Sequence, residues 1–443
     1  MARKQSRPKR EYPQKRNVKG RPPEKTIRSA RDTDSSNGRT EIETFAAQLR
    51  PLISKSVKPQ PQVILQSSPL AHLDYQEELK IKNQALALFW QKNRLPGKPE
   101  EIIGSPKPRN YRTTSKRKTI LKGSTLYLLF NDRALRSQKK PFAESPLEPH
   151  EHGRIFEFLQ QKISEPAFKL VAGHLNYLII RGSYTERAVI FNVDTLNGPL
   201  VRKLKLLAGH MQKHPDTVSS AYIYPDPSCS DYYLEEGQPS DILQFKKLFG
   251  RTDLTVSHHG CRYSYHPTSF SQVNEAMVPV MLDTAQALLE PNPGETLLDL
   301  YCGYGLFSHF LASGYKQVVG IDAEGPSIRS AISNKKSNPA SKKARFLSRR
   351  ITARSVEKIP LPDDLGSETI LLDPPRQGPQ EGVINALSRR EPSKVLHIHC
   401  GLEQIPQSLK QWQQNGYKVQ RIVPLDMFPG TAGLEVLILL EKG

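Results

Sequence analysis

The strongest constraint on the fold is a unit of strand, glycine turn, helix and strand between residues 296 and 322. The string TLLDLYCGYG is an apolar strand that enters a glycine-rich turn, and QVVGIDA is a second strand that ends near Asp322. More apolar strands follow in ETILLDPP, KVLHIHC, YKVQRIVPLD and EVLILLEK. Strands and helices that alternate in this way build a largely parallel sheet with helices on both faces. The sequence therefore predicts an α/β domain over residues 254–443.

Acidic residues and glycines stand at the ends of these predicted strands. They are Asp299, Gly303, Gly305, Asp322 and Asp373. Parallel strands end at one edge of a sheet, so we expect these residues to converge on one ligand crevice. The glycines let a ligand approach the backbone, and Asp322 is placed to accept hydrogen bonds from a ribose diol. A dinucleotide-binding turn would carry a third glycine, which DLYCGYG lacks, so the acidic crevice favours the positively charged cofactor S-adenosylmethionine.

The chain before residue 254 divides into a polar tail and a second folded region. Residues 1–65 are rich in Lys, Arg, Pro, Gln and Ser and show no apolar period, which predicts a disordered basic tail. A helix predicted over Tyr75–Lys92 opens the next region, and short β-branched and aromatic runs near residues 124, 175, 188 and 221 indicate strands. Residues 70–253 are therefore expected to form an α+β domain.

The balance of charge predicts a polyanionic partner. The 443 residues include 64 Lys and Arg against 44 Asp and Glu, which gives a formal net charge of +20. Nucleic acid is the commonest polyanion in a cell, and a flexible basic tail is typical either of an arm that binds RNA phosphates or of a segment that only solvates the chain. A second basic run over residues 97–123 contains Tyr111, which is typical either of a phosphate-binding segment with one stacking ring or of a solvated loop. We expect the basic segments and the α+β domain to bind RNA.

Cysteine spacing and hydropathy argue against several other classes. The four cysteines form no CxxC pair, so neither a disulfide framework nor a zinc or iron-sulfur cluster is expected. The N-terminus has no apolar stretch after its charges, and no run of about 18 apolar residues occurs along the chain. We expect a cytoplasmic protein with no membrane span and no metal, and a monomer is the default expectation.

Four strings of the C-terminal half resemble, in the same order, the motifs of the RNA (uracil-5-)-methyltransferases, a family of class I S-adenosylmethionine-dependent enzymes. HPTSFSQVN is similar to the family's S/N-x-F-x-Q-x-N string, and LLDLYCGYGLFS to its D/E-L-Y/F-C-G-x-G turn. LLDPPRQG resembles its D-P-P-R-x-G loop, and DMFPGTAGLE its D-x-F-P-x-T-x-H-x-E terminus. The resemblance implies a Rossmann-like class I methyltransferase domain, preceded here by the α+β domain and the basic tail.

The resemblance also implies roles for six residues. S-adenosylmethionine would be bound by Gln272, Tyr301, Asp322 and Asp373, while Cys400 would be the covalent nucleophile and Glu435 the base that removes the final proton. Carbon 5 of uracil is a poor nucleophile, and a thiolate that adds to carbon 6 raises the electron density at carbon 5. The implied activity is formation of 5-methyluridine in ribosomal or transfer RNA. The basic tail favours ribosomal RNA, which offers more phosphate to a flexible arm.

The sequence departs from the family pattern at several positions. The family has Ser-Cys-Asn-Pro around its nucleophile, whereas HIHCGLEQ places Gly401 and Leu402 after the thiol. Gly433 stands where a His is usual, and Leu306 where many members have Asn. The resemblance does not extend to the iron-sulfur cysteines or to the N-terminal RNA-binding barrel of many members. These changes bear on the rate and the target more than on the reaction.

Other functions stay open at this stage. An exocyclic-amine methyltransferase would carry an aromatic residue after Asp-Pro-Pro, where Arg376 stands, and a cytosine-5 enzyme would carry a cysteine in that loop. A non-catalytic RNA-binding or ribosome-assembly factor would retain the fold and the pocket, although both catalytic candidates are present. Cys400 after an apolar strand is also typical of a buried structural thiol. Arg376 contacts RNA or ties its loop, while His399 and the other three cysteines (Cys229, Cys261 and Cys302) are expected to pack.

Overall fold

The structure is a computed structural model that describes residues 42–56, 68–130, 141–142, 144–213, 218–229, 245–361 and 367–443. Most of the predicted tail, residues 1–41 and 57–65, lies outside these ranges. The described residues from Ile42 onward form one compact unit, and the division into domains at residue 253 stays a prediction. No helix within these ranges has the length and apolar character needed to cross a membrane.

The first two helices are Phe45–Ser56 (α1) and Tyr75–Lys92 (α2). Helix α2 has the bounds predicted from its apolar stripe. Helix α1 lies in the segment predicted to be disordered, so that prediction is wrong for these residues. Phe45 and Leu49 lie one helical turn apart and are buried in the same apolar cluster as Phe89 of α2. This tertiary contact, which composition does not reveal, orders α1.

A six-stranded sheet comes next in the chain. Its strands are Ser115–Lys122 (β1), Thr125–Leu129 (β2), Leu175–Gly182 (β3), Arg187–Val193 (β4), Ser220–Pro225 (β5) and Lys246–Phe249 (β6), and its helices are His150–Ser164 (α3), Lys169–His174 (α4) and Gly198–Met211 (α5). The strand order is β2-β1-β3-β4-β5-β6, antiparallel except between β4 and β5. Helices α3 to α5 bury one face. The predicted strands near residues 124, 175, 188 and 221 are present as β2 to β5.

The basic run over residues 97–123 is not a solvated loop, since it contains β1 and its irregular part carries buried residues. Arg117 on β1 is fully buried and pairs with Glu148 (2.5 Å). Tyr111 is fully buried as well, and its hydroxyl donates to the carbonyl of Pro429 (3.0 Å). The interpretation of Tyr111 as a ring that stacks on RNA is therefore wrong, because a ring without exposed surface cannot meet a base.

A two-stranded hairpin, Leu254–His258 (β7) and Cys261–Tyr265 (β8), leads into a seven-stranded sheet. Its strands are Thr296–Leu300 (β9), Gln317–Asp322 (β10), Arg345–Ser348 (β11), Glu368–Leu372 (β12), Lys394–His399 (β13), Tyr417–Leu425 (β14) and Glu435–Lys442 (β15), and its helices are Met277–Leu289 (α6), Leu306–Leu311 (α7), Pro326–Asn334 (α8), Ala353–Val356 (α9), Val383–Ser388 (α10) and Ile405–Gln414 (α11). The order is β11-β10-β9-β12-β13-β15-β14. Strands β9 to β13 are parallel, and β15 is antiparallel to both its neighbours.

Alternate residues of the seven-stranded sheet enter two apolar clusters. Leu298 of β9 belongs to a cluster with α1, α2 and α11, whereas Leu297 belongs to one with α6 and α7. The second cluster also takes in Tyr177 and Tyr222 from the open face of the six-stranded sheet. Burial of both faces is the usual condition of a parallel sheet. This confirms the expected α/β fold with a preceding α+β region.

The segment before β1 extends the seven-stranded sheet at its outer strand, β14. The N–H of Ile103 donates to the carbonyl of Pro424 on β14 (2.9 Å), and the N–H of Asp426 donates to the carbonyl of Ile103 (3.0 Å). Residues far apart in the sequence therefore share one sheet edge, directly beside the turn that leads to Glu435.

Candidate active site

Three of the predicted cofactor residues meet because of the strand register. Leu300 at the end of β9 pairs with Ile321 on β10 and with Leu372 on β12. The next positions are Tyr301, Asp322 and Asp373, so these three residues lie side by side at the carboxyl edge of the sheet. The structure thus brings together the strand ends that the sequence placed in one crevice.

The glycine turn after β9 is shaped by left-handed backbone. Tyr301 (φ 62°), Gly303 (φ 57°) and Gly305 (φ 85°) all have positive φ, and a Cβ on Gly305 would lie 2.7 Å from the ring of His309. The N–H of Gly303 donates to one oxygen of Asp322 (2.7 Å), and the N–H of Ala323 donates to the other (2.6 Å). Asp322 therefore holds the turn through both carboxylate oxygens.

The predicted nucleophile and base lie at adjacent strand ends. Strand β13 pairs with β15 so that His399 faces Val436. Cys400 directly follows His399, and Glu435 directly precedes Val436. Cys400 is partly buried, with its Sγ 3.9 Å from the carbonyl oxygen of Pro374. Glu435 is buried, and its Oε2 has no hydrogen-bond partner among the described residues.

The acidic groups of this edge perturb one another. Burial raises the pKa of Asp299 to about 7, and Asp373 and Asp322 add to the rise against the Ser308 hydroxyl, which lowers it. Burial holds the pKa of Asp373 well above its ordinary value, with Glu435 and Asp322 contributing. Burial likewise raises the pKa of Glu435 to about 7. The titrations of these neighbouring carboxyls are therefore coupled, which is typical of functional sites.

The charge of the crevice suits a cationic ligand. Asp299 is fully buried with one oxygen that has no partner among the described residues, and it accepts a hydrogen bond from Ser308 through the other (2.5 Å). Arg376 opposes the acids by lowering the pKa of Glu435 and of Cys400. Several carboxyls around one guanidinium favour a bound positive charge such as a sulfonium. No group of three His, Cys, Asp or Glu in the described part of the chain is arranged to hold a metal ion.

Gln272 lies on the loop between β8 and α6, which a buried arginine anchors. Arg181 on β3 donates to the carbonyl oxygens of Pro267 (2.5 Å) and Ser269 (2.7 Å) and to the Ser271 hydroxyl (3.1 Å). Sequence reasoning missed Arg181, because its partners lie 86 to 90 residues away. The same loop exposes 66% of the Phe270 ring, which the FSQ string marks but which the sequence prediction did not use.

Two departures from the family pattern have a steric explanation. A Cβ on Gly401 would lie 2.5 Å from the carbonyl oxygen of Arg376, so a side chain there would push the Asp-Pro-Pro-Arg loop away. A Cβ on Gly433 would lie 3.0 Å from the Phe428 ring. Glycine suits both positions because the loops that flank the Cys400 thiol and the Glu435 carboxyl pack closely there. Leu306 is buried as the first residue of α7.

The residues set aside from the site are placed as follows. His399 is buried against His397 with ring centroids 3.8 Å apart, and burial lowers its pKa to about 3, so it packs as expected. Cys302 is buried within the glycine turn, and Cys261 is partly buried. Cys229 is exposed, so the expectation that it packs is wrong.

Comparison with known proteins identifies a family. Residues 239–443 match the model of the tRNA (uracil-5-)-methyltransferases. A tRNA (uracil(54)-C(5))-methyltransferase of Pyrococcus horikoshii is 27% identical over 375 residues, which cover 83% of this chain and 81% of that protein. An uncharacterized RNA methyltransferase of Nanoarchaeum equitans is 26% identical over 381 residues, which cover 84% of this chain and 76% of that protein.

A solved structure shares the fold. The tRNA (uracil-54, C5)-methyltransferase of Pyrococcus abyssi, in complex with S-adenosyl-L-homocysteine, matches with a TM-score of 0.64 and 24% identity over 87% of each chain. The seven-stranded sheet, with its acidic crevice beyond a glycine turn, has the fold of that methyltransferase. The match of residues 239–443 to the model of the tRNA (uracil-5-)-methyltransferases agrees with the family resemblance of the motifs in the C-terminal half.

Proposed function

We propose that this protein transfers a methyl group from S-adenosylmethionine to carbon 5 of a uridine in RNA, with Cys400 as nucleophile and Glu435 as base. The pairing of β13 with β15 carries the proposal, because it sets a thiol and a carboxyl at neighbouring strand ends. The match of residues 239–443 to the family model supports the reaction class. An exocyclic-amine enzyme needs no cysteine nucleophile, and a cytosine-5 enzyme would carry its cysteine in the Asp-Pro-Pro loop, where DPPRQG has none.

The cofactor would be held where the acidic strand ends meet. We assign its binding to Gln272, Tyr301, Asp322 and Asp373. The two aspartates accept hydrogen bonds and offset positive charge, and the left-handed turn at Tyr301 and Gly303 leaves room beside the backbone, since a Cβ on Gly303 would have no neighbour within 4 Å. When bound, S-adenosylmethionine supplies an electrophilic methyl on a positively charged sulfur.

Cys400 starts the reaction by making carbon 5 reactive. Its thiolate forms a bond to carbon 6 of the uracil, and the electron pair of the 5,6 double bond moves into an enolate. Carbon 5 of that enolate then forms a bond to the methyl carbon, while the methyl–sulfur bond breaks and its electron pair stays on the sulfur. The ring is now saturated at carbon 5 and remains covalently attached to the protein.

Glu435 completes the reaction. Its carboxylate takes the remaining proton from carbon 5, the electron pair of that bond restores the double bond, and the bond from carbon 6 to Cys400 breaks to return the thiolate. Because burial raises the pKa of Glu435 to about 7, the group can both accept and release a proton near neutral pH. One nucleophile and one base are therefore sufficient for turnover.

The free protein keeps the thiol protonated. Burial raises the pKa of Cys400 to about 12, and Glu435 and Asp373 add to the rise while Arg376 opposes it. Formation of the thiolate is therefore coupled to binding, because the positive charge of the cofactor offsets the two carboxyls. Such coupling protects the thiol from unwanted reactions until both substrates are present.

The RNA substrate is a uridine that must leave its stack to reach the crevice. The basic tail favoured ribosomal RNA at the level of sequence. The Pyrococcus horikoshii relative, which this chain matches over 81% of its length, is named for uracil 54 of transfer RNA. We therefore propose transfer RNA as the first substrate, with ribosomal RNA as the alternative.

The test is transfer of labelled methyl from S-adenosylmethionine to RNA from cells that lack this protein. The transfer and ribosomal fractions are assayed separately and then digested to nucleosides. We expect label in 5-methyluridine with the wild type and none with Cys400→Ala, provided that the variant still binds the cofactor. Label in another nucleoside refutes the uridine assignment, and cofactor binding without transfer to either RNA favours a non-catalytic RNA-binding factor.

A further inference from the structure

The first half of the loop that precedes Glu435 is held by hydrogen bonds to its backbone. We call residues 426–434, which join β14 to Glu435, the base loop. Four successive carbonyl oxygens of this loop accept hydrogen bonds from outside it: Met427 from the amide of Asn274 (3.2 Å), Phe428 from Lys82 (3.3 Å), Pro429 from the hydroxyl of Tyr111 (3.0 Å) and Gly430 from the N–H of Leu70 (3.0 Å). Loops usually leave such groups to water, so four fixed carbonyls in a row indicate a loop with one shape.

A buried charged cluster on α2 supports the same loop. Lys82 has no exposed surface, and its ammonium contacts Asp426 at the start of the loop (2.8 Å) and Glu78 (2.8 Å). Glu78 in turn accepts from the N–H of Gly430 (2.5 Å) and pairs with Arg109 (3.0 Å). Two carboxylates and two cations give no net charge, and hydrogen bonds satisfy them, which is the condition for burying ions.

Glu435 depends on this support. Its Oε2 has no hydrogen-bond partner among the described residues, so the position of the carboxyl depends on the backbone that carries it. Strand pairing of Val436 with His399 fixes the chain after Glu435, and the base loop fixes the chain before it.

We propose that Lys82, Glu78 and Tyr111 are positioning residues, which place the carboxyl of Glu435 against carbon 5 of the methylated uracil. The inference rests on the proposed function, in which Glu435 removes the last proton. It assigns to the N-terminal helix α2 and to the segment before β1 a part in one step of the reaction. RNA binding, thiol addition and methyl transfer do not use Glu435 as a base and are not affected.

A displaced Glu435 has a specific chemical consequence. The bond between Cys400 and carbon 6 still forms, and carbon 5 still receives its methyl. The carbon-5 proton then stays in place, so the electron pair that would expel the thiolate is not released. Methylated RNA therefore accumulates as a covalent adduct with the protein, a species that a generally destabilised enzyme does not produce.

The experiment compares two matched tyrosines. Tyr111→Phe removes the hydroxyl that donates to Pro429 in the base loop. Tyr417→Phe removes an equally buried hydroxyl that donates to Pro392 (3.1 Å), outside the loop. Each full-length variant is incubated with transfer RNA and methyl-labelled S-adenosylmethionine, and label in free 5-methyluridine is compared with label in an RNA–protein adduct stable to denaturing electrophoresis. Glu435→Gln gives the adduct level for complete loss of the base.

We expect the ratio of adduct to product to rise about fivefold in Tyr111→Phe, the size of one lost hydrogen bond, and to stay at the wild-type value in Tyr417→Phe. The Lys82→Met variant, measured as folded protein, should give a larger rise in the ratio of adduct to product. A wild-type ratio in Tyr111→Phe, or the same rise in both tyrosine variants, overturns the inference. A wild type that forms neither 5-methyluridine nor adduct refutes the proposed function itself, and the inference with it.

Discussion

Asp299 provides a direct test of the acidic crevice. The change is Asp299→Asn, which keeps an oxygen that can accept the hydrogen bond from Ser308 but removes the titration. Burial raises the pKa of Asp299 from 3.8 to about 7, so between these values the folded state keeps a proton that the unfolded state has released. The free energy of unfolding of the wild type must therefore fall as the pH rises through this window, and level off above it.

The magnitude follows from the shift. Each pKa unit corresponds to about 1.36 kcal/mol, so over the two units between about pH 5 and pH 7 the titration of Asp299 removes about 2.7 kcal/mol from the wild type, a contribution that the variant lacks. Urea unfolding of both proteins without cofactor, followed by tryptophan fluorescence at several pH values, measures this difference. The stability of Asp299→Asn relative to the wild type should grow by about that amount.

Ser308→Ala serves as a control of opposite sign. The Ser308 hydroxyl lowers the pKa of Asp299, so its removal should widen the pH window and increase the total loss of stability across it. A relative stability of Asp299→Asn that is constant between about pH 5 and pH 8 would show that this carboxyl titrates normally. The crevice would then not be a cluster of buried carboxyls whose negative charge lacks enough neighbouring cations.

Three further results are expected. The rate at which adduct resolves to product should rise with pH and level off above about pH 7, since burial raises the pKa of Glu435 to about 7; a flat profile contradicts its role as base. Lys82→Met should lose roughly 3–5 kcal/mol in urea unfolding, because Asp426 would stay buried without its cation, and a loss below about 1 kcal/mol would refute that account. Gly305→Ala should lower the melting temperature and weaken binding of S-adenosylmethionine, since φ is 85° and the new Cβ would meet His309; unchanged binding by calorimetry would exclude a role for this turn.

The methyltransferase half of the molecule could be predicted because its signals are local. Apolar strands, a glycine turn and acids at strand ends occur as short strings, and the rules of parallel sheets bring those ends to one edge. The same reasoning placed Asp322 and Asp373 in one crevice. It could not place Cys400 against Glu435 without the family resemblance, because that neighbourhood depends on the antiparallel insertion of β15 beside β13.

The N-terminal half was harder because several of its charged residues are buried. Arg117 and Lys82 belong to polar strings that composition assigns to solvent, yet each is buried against a carboxylate supplied from elsewhere in the chain. Helix α1 was missed for a related reason, since its few apolar residues find their partners on α2. Pattern-based prediction fails where a polar side chain is satisfied by a distant one.

The contact between Lys82 and Asp426 has a consequence for synthesis of the protein. These residues are 344 positions apart, so the lysine leaves the ribosome long before its partner exists. At roughly 5–20 residues per second the wait is on the order of tens of seconds. During that interval the charged cluster of helix α2 lacks its second carboxylate, so this part of the fold is completed only after residue 426 has been synthesised.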